Sequence, residues 1–525
     1  LSFNYRTGNE LDNKAIATPV DLIDHKQWET FAKWSYTFDH GGRLRAILDR
    51  YEREVDSDLK SVLGFGRQYR STVSLIGNDT QERNRASLDY LIRDLAGFDL
   101  ASLMIYYQGN ESEQATIDTR ADLTTSVPNQ LIERLFSFRD DSSGLEAKVR
   151  RDFTTQSAEH ILVGGIEWNH SRLTEARDGL ATNLVTGATT KVLPPGETLP
   201  QRDLPRSDVD SVGVYLQDEI QFGALTLIPA IRWDRFKLDA STDGLFTDAS
   251  RLTDLEDNNL SFRLGMTRRM SDHLTLFLHY AEGFRAPPAE DVNLFLDYRG
   301  FINLRALPNP DLKAEQSKNY ETGVRFNYEG TNVSLGGYHS IFDNFIESRV
   351  NIGVDPSDGT LLFQSRNIQN ARIYGFEAEI SQQLSALHPA LDAWSLDAGY
   401  HWAKGENRDT NLPINLVNPA KAVFGLHWQE SGTTSASLRV RHYSRQTRVD
   451  FSEGDFFVAP SQAVIDLTAR WRLRPSIEIV AGLYNLNDSR YWRYGDVRMF
   501  DPIDPRVESL TRPGRNAAVT FYYRQ

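Results

Sequence analysis

Residues 465–473 read Ile-Asp-Leu-Thr-Ala-Arg-Trp-Arg-Leu, an alternation without a break. Ile465, Leu467, Ala469, Trp471 and Leu473 fall on one side, and Asp466, Thr468, Arg470 and Arg472 on the other. A period of two marks an extended strand with one apolar and one polar face. The pattern recurs at 31–38, 100–107, 161–168, 212–219, 225–234, 260–266, 273–280, 320–326, 333–338, 375–380, 394–402, 422–428, 477–483 and 518–523. No stretch carries a sustained helical period. Residues 140–151 are charged enough to be either a helix or a solvated loop.

The connections come in two sizes. Short ones lie at 270–272, 328–331, 430–433 and 474–476; long polar ones lie at 171–208, 239–258, 285–315, 349–370 and 490–515. Their alternation predicts an all-β, membrane-spanning antiparallel up-and-down barrel, with tight turns at the periplasmic rim and long extracellular loops. At roughly 24 residues per strand and connection, the chain gives about 22 strands. A soluble propeller or sandwich also alternates, but no repeat of constant length is visible. Several strands end in aromatics (Tyr280, Trp402, Trp428, Tyr443, Tyr523), as interfacial girdles require.

Bulk properties agree. No apolar run reaches the ~18 residues of a helical membrane span, while barrel strands need only ~9–11 alternating residues. The mean hydropathy of −0.47 suits that reading. The chain has no Cys, which removes disulfides and thiolate metal sites. A formal net charge of −14 argues against a nucleic-acid partner.

One loop stands apart. The strand at 273–280 continues into Glu282-Gly283-Phe284-Arg285-Ala286-Pro287-Pro288, and the next strand begins near Tyr320. This connection is too long for a simple hairpin, and Pro287, Pro288, Pro308 and Pro310 stiffen both its ends. Such a loop on a strand scaffold is a place to hold a ligand.

Phe284-Arg285-Ala286-Pro287 followed by Asn309-Pro310-Asp311-Leu312 resembles the paired FRAP and NPNL boxes of TonB-dependent outer-membrane receptors for haem and haemoproteins. Asn370-Ala-Arg-Ile-Tyr-Gly-Phe-Glu377, Tyr484-Asn-Leu-Asn-Asp488 and Arg512-Pro-Gly-Arg-Asn516 are similar to further segments of that superfamily. The resemblance covers about residues 210–525. It implies a barrel in the bacterial outer membrane that imports haem, free or taken from a haemoprotein such as haemoglobin. Energy would come from the TonB complex through an N-terminal plug domain. Residues 1–30 leave no room for a plug, so the expectation is that residues 1–525 are the barrel domain alone. The chain also ends Tyr523-Arg-Gln525, where the family usually closes on an aromatic.

Receptors of this kind often place a His between the two boxes as an axial haem ligand. Here 288–308 contains none, but it contains Tyr298 followed by Arg299. Tyrosinate is a competent ligand for ferric haem iron, and an adjacent Arg can lower the phenol's pKa. The expected site is therefore Tyr298 on the iron, supported by Arg299, with the second ligand supplied by the plug. The alternative is an ordinary loop tyrosine.

His279 and His339 are expected as wall residues, at least one facing the lumen. Ala289-Glu290-Asp291 and the carboxylates at 243–257 are expected to be solvated. Arg439, Arg441, Arg470 and Arg472 would line the lumen or pair across strands. No nucleophile elbow, phosphate loop or zinc helix motif is present, so no enzymatic cofactor is expected. Two competing readings remain: a ferric-siderophore receptor and a plugless passive pore.

Overall fold

The computed structural model describes the chain apart from residues 11, 67, 195, 299–302, 431, 453 and 525 and the side chain of 369. Twenty long strands, from Ser2–Asn9 to Asn516–Tyr523, follow one another around a single sheet, each antiparallel to the next. Three short strands join them to make a 23-stranded sheet. No described helix is long and apolar enough to cross a membrane. The all-β barrel expected from the alternation is the architecture observed.

The period-two pattern fixes the register. Leu396, Leu426, Leu438, Leu467 and Leu483 stand opposite one another on five consecutive strands, making a continuous apolar row on the outer face. A one-residue slip would turn each of these strands inside out. Outward Leu103, Ile105, Ile166, Trp168, Val214, Leu216, Leu260 and Phe262 remain exposed, an extent of apolar surface that only lipid can cover. Aromatic pairs sit on the same face. Trp394 is in register with Trp428, and Phe376 packs against Tyr400 and Trp402 at 5.4 and 6.0 Å.

The inner face is polar and internally paired. Arg441 bonds Asp466, while Arg470 and Arg472 reach Glu478 at 3.4 and 3.6 Å. His427 bridges Asp397 and, at 2.8 Å, Ser437. Of the two wall histidines, His279 faces inward and accepts the Arg263 Nε–H at 2.9 Å. His339 faces outward, in register with Tyr320 and 6.1 Å from the Tyr374 ring.

Five strands are much taller than the membrane requires: Thr72–Leu95, Phe98–Ala121, Pro128–Thr154, Glu159–Asn183 and Thr331–Val354, each of 24–27 residues. About 9–11 residues cross the bilayer, so the remainder stands above it. On Glu159–Asn183 the outward run of large apolar side chains breaks after Trp168. Above them, His170 and Arg172 pair with Asp210 and Asp208 at 3.1 and 2.7 Å.

Two expectations are corrected here. Residues 140–151 are strand, because neighbouring strands supply partners for their charges, as in Tyr107 to Asp141 at 2.8 Å. The polar stretches at 171–208 and 349–370 are mostly strand too; the links shrink to 184–205 and 355–360, with short strands inside the first. The short connections lie where the alternation put them.

The beginning and end of the sheet meet at the rim. Asn13 Nδ2 donates to the Ser509 carbonyl at 3.0 Å, and Lys14 pairs with Asp488 at 2.7 Å. The N–H groups of Ile16 and Ala17 both bond Glu508 Oε2, at 3.1 and 3.0 Å.

Candidate functional site

The loop between the strands Leu274–Arg285 and Glu315–Tyr328 folds inward over the barrel mouth. Arg285 and Glu315 are in register at its neck and bond at 3.1 Å. Glu315 is buried and also accepts the Ile346 N–H at 2.8 Å. Phe284 lies on the outer face at the strand end; Ala286 and the fully buried Pro287 lead into the short helix Ala289–Asn293. That helix and Leu312 pack on the inner wall through one apolar cluster of Leu238, Ala289, Val292, Leu312 and Ile346.

Ala289 and Asp291 are therefore not solvated. Asp291 accepts the Ser365 hydroxyl at 2.7 Å, a buried contact that charge counting along the chain could not reveal. Asp243 likewise holds Arg202 at 2.7 Å.

The second box is also built into the rim. Asn309 gives its amide to the Ser365 carbonyl at 2.7 Å and accepts the Asp311 N–H at 2.9 Å, while Pro310 and Asp311 stay exposed. Between the boxes the strands Leu296–Tyr298 and Leu304–Leu307 pair as a hairpin, and the second of them pairs parallel with residues 361–364. Arg305 fastens the hairpin's base, lying 3.5, 3.0 and 3.4 Å from Asp297, Asp355 and Asp358. The two boxes thus act as a structural joint that positions the hairpin.

Tyr298 closes the first hairpin strand, half-buried. Its hydroxyl oxygen accepts a hydrogen bond of 2.6 Å from Arg177 Nη1, and the guanidinium lies 5.6 Å from the ring centroid. Burial pushes the phenol above its ordinary pKa, against the pull of Arg177. This is the opposite of the lowering expected from Arg299, which lies outside the described residues.

Arg177 itself is held by Asp203 at 2.7 Å and Glu197 at 2.5 Å. Burial works against its charge, but Asp203, Tyr298 and Glu197 more than offset this and raise its pKa. Sequence reasoning missed this residue. The available signal was Glu175-x-Arg177, two charges on one face of a strand that ought to end in solvent.

Further round the wall a cleft of about 740 Å³ opens on the inner face, lined by Glu377, His401, Lys421, Arg441 and Tyr443 and covered by the Tyr494 turn. Among the described residues no group of three or more His, Asp or Glu side chains could hold a metal ion.

An outward apolar belt, a polar paired interior and an inward-folded loop at the mouth define a membrane-spanning receptor-type β-barrel. The chain belongs to the TonB dependent receptor-like β-barrel family, whose model matches residues 16–486. Barrels of this family are outer-membrane proteins of Gram-negative bacteria.

Among curated relatives, the probable hemoglobin and hemoglobin-haptoglobin-binding protein 4 of Haemophilus influenzae is 24% identical over 287 residues. The match takes in 50% of this chain and 28% of that protein. Hemoglobin-haptoglobin utilization protein B of Neisseria meningitidis is 26% identical, over 55% of this chain and 41% of that one. The ferrienterobactin receptor of Escherichia coli is 23% identical, over 64% and 44%. These matches thus span between about a quarter and a half of each relative's length. Among solved structures, the copper transporter OprC superposes with a TM-score of 0.73 at 17% identity, covering 99% of this chain and 75% of that one. The siderophore receptor PirA from Acinetobacter baumannii gives 0.68 at 16%, covering 99% and 75%. These likenesses are of fold.

Proposed function

We propose that this barrel is the membrane domain of a TonB-dependent receptor that takes up haem, released from haemoglobin or another haemoprotein, with Tyr298 as an axial ligand of the iron. The observation that carries the reading is the inward hairpin. It holds a phenol over the barrel mouth with a guanidinium on its oxygen, leaving that oxygen a second lone pair for a ferric ion. The relatives named for haemoglobin and haemoglobin–haptoglobin support the ligand class. Arg299, beside Tyr298 in sequence, remains a candidate for a haem propionate or for the phenolate. Residues 1–525 are read as one barrel domain, energised through a plug and the TonB complex.

Ferric haem added to the purified protein tests this. A shifted Soret band, with a tyrosinate charge-transfer band lost in Tyr298→Phe, is expected. An unchanged spectrum in the variant would remove Tyr298 from the site. The likeness to the ferrienterobactin receptor favours a second reading, a ferric-catecholate receptor. In that case haem leaves the spectrum unmoved, and the ferric chelate quenches tryptophan fluorescence.

A further inference from the structure

Glu175 lies on the inner face of Glu159–Asn183, above the apolar belt, and is 4% exposed. One carboxylate oxygen, Oε2, accepts the N–H groups of Asp203 and Leu204 at 2.9 and 3.3 Å. The other, Oε1, is buried with no hydrogen-bond partner. The groups around it come from several segments. Its own strand supplies Arg177, and the neighbouring strand supplies Phe138 in register and Arg134, which reaches Glu197 at 3.5 Å. The 184–205 link supplies Glu197, Asp203 and Arg202, the last bonded to the Glu175 carbonyl and to Asp243. The hairpin supplies Tyr298, and its approach is fixed by Phe295 N–H on the Asp203 carbonyl at 2.9 Å.

We propose that this cluster is a proton-operated clasp on the barrel mouth. With Glu175 protonated, the 191–205 link and the hairpin bearing Tyr298 are seated together on the inner wall; with Glu175 ionised, they lift from it as one unit. The proposal is independent of which ligand the receptor takes.

Arg177 is already shared between Asp203, Glu197 and the Tyr298 oxygen. Arg202 is turned to Asp243 and to a backbone carbonyl, so among the described residues no ion pair is made to the Glu175 carboxylate. Ionising Glu175 in place adds an unpaired negative charge beside Asp203, which a buried site resists unless water enters. Water enters when the link and hairpin lift.

The sign follows. Burial, and then Asp203, push seated Glu175 from 4.5 up to about 7. Burial raises Asp203 as well. Lifted and solvated, Glu175 returns towards its ordinary value. Seating is therefore complete below about pH 4.5 and weakens as pH rises to about 7, by up to roughly two orders of magnitude in the seated-to-lifted ratio. The mouth is tighter in acid than at neutral pH.

Hydrogen exchange read by mass spectrometry tests this on the protein in lipid nanodiscs at pH 5 and pH 8, after correction for intrinsic rates. Peptides spanning 191–205 and 294–308 should lose at least tenfold protection at pH 8, while the wall strands stay protected. Glu175→Gln should keep both segments protected at both pH values, and Arg177→Met should expose both at both. Heat-modifiable electrophoretic mobility shows which variants keep the barrel folded; if Glu175→Gln does not, Asp203→Asn, which removes the adjacent charge, should flatten the pH response instead. Equal protection at pH 5 and pH 8 in the unaltered protein overturns the clasp. So does an intact pH response in Glu175→Gln, or loosening of only one segment in Arg177→Met.

Discussion

Arg285 and Glu315 face each other in register at the neck of the inward loop, bonded at 3.1 Å, with the Glu315 carboxylate also taking the Ile346 N–H. The partners differ in setting. The Arg285 side chain is mostly in solvent, whereas that of Glu315 is buried. The ion pair alone is therefore worth little; what matters is the backbone donor that Glu315 satisfies.

Glu315→Ala should cost about 1–3 kcal/mol, the penalty of leaving a buried N–H unpaired. Glu315→Gln keeps an acceptor and should cost less. Urea unfolding of the two variants in detergent, followed by tryptophan fluorescence, gives the comparison; equal losses would mean the charge, not the acceptor, holds the neck.

Leu312 is the NPNL-box residue that enters the apolar cluster under the hairpin. Truncation to Ala should cost about 2–5 kcal/mol through lost contact and the cavity left behind. Proteolysis of the loop should quicken in parallel. A variant as stable and as resistant as the parent would show that the cluster does not fasten the helix to the wall.

Leu467 sits mid-row among the outward leucines. Leu467→Arg should lower barrel stability by about 2–4 kcal/mol if that row meets the bilayer core. Folding titrations in vesicles measure it, and a cost near zero would place the row outside the hydrocarbon.

Glu508 holds the 13–18 segment to the far end of the sheet. Backbone N–H groups of Ala17 and Ile16, with Arg490, hold its carboxyl down to about 2 against an ordinary 4.5. A depressed carboxyl stabilises the contact above about pH 4.5, and that support is lost as pH falls from 4.5 towards 2. Trypsin-like nicking after Lys14 is impractical in acid, so pepsin cleavage near residues 13–18 is the readout. Glu508→Gln should be cut at pH 4 as readily as the parent is at pH 2.

The strands and the short turns were legible because each residue's side is dictated by a period of two, a property of the chain alone. Heights were not. Residues 140–151 and 171–183 are strand because Arg139, Arg150 and Arg172 find carboxylates across or along the sheet, partners that polarity in one dimension hides. The two boxes at 284–287 and 309–312 mark the two ends of the inward loop, and what they do there is packing and hydrogen bonding. Tyr298 could be picked out by its chemistry. Its partner Arg177, 121 residues earlier, could not, since only the folded wall brings the two together.

The clamp of residues 13–18 on the 488–511 loop joins positions separated by 474–497 residues. Contacts so distant in sequence are the slowest to form, because the whole intervening chain must already be arranged before they are rewarded. This corner of the rim therefore carries the largest chain-closure cost of the contacts described, a cost that falls only once the strands between are in place.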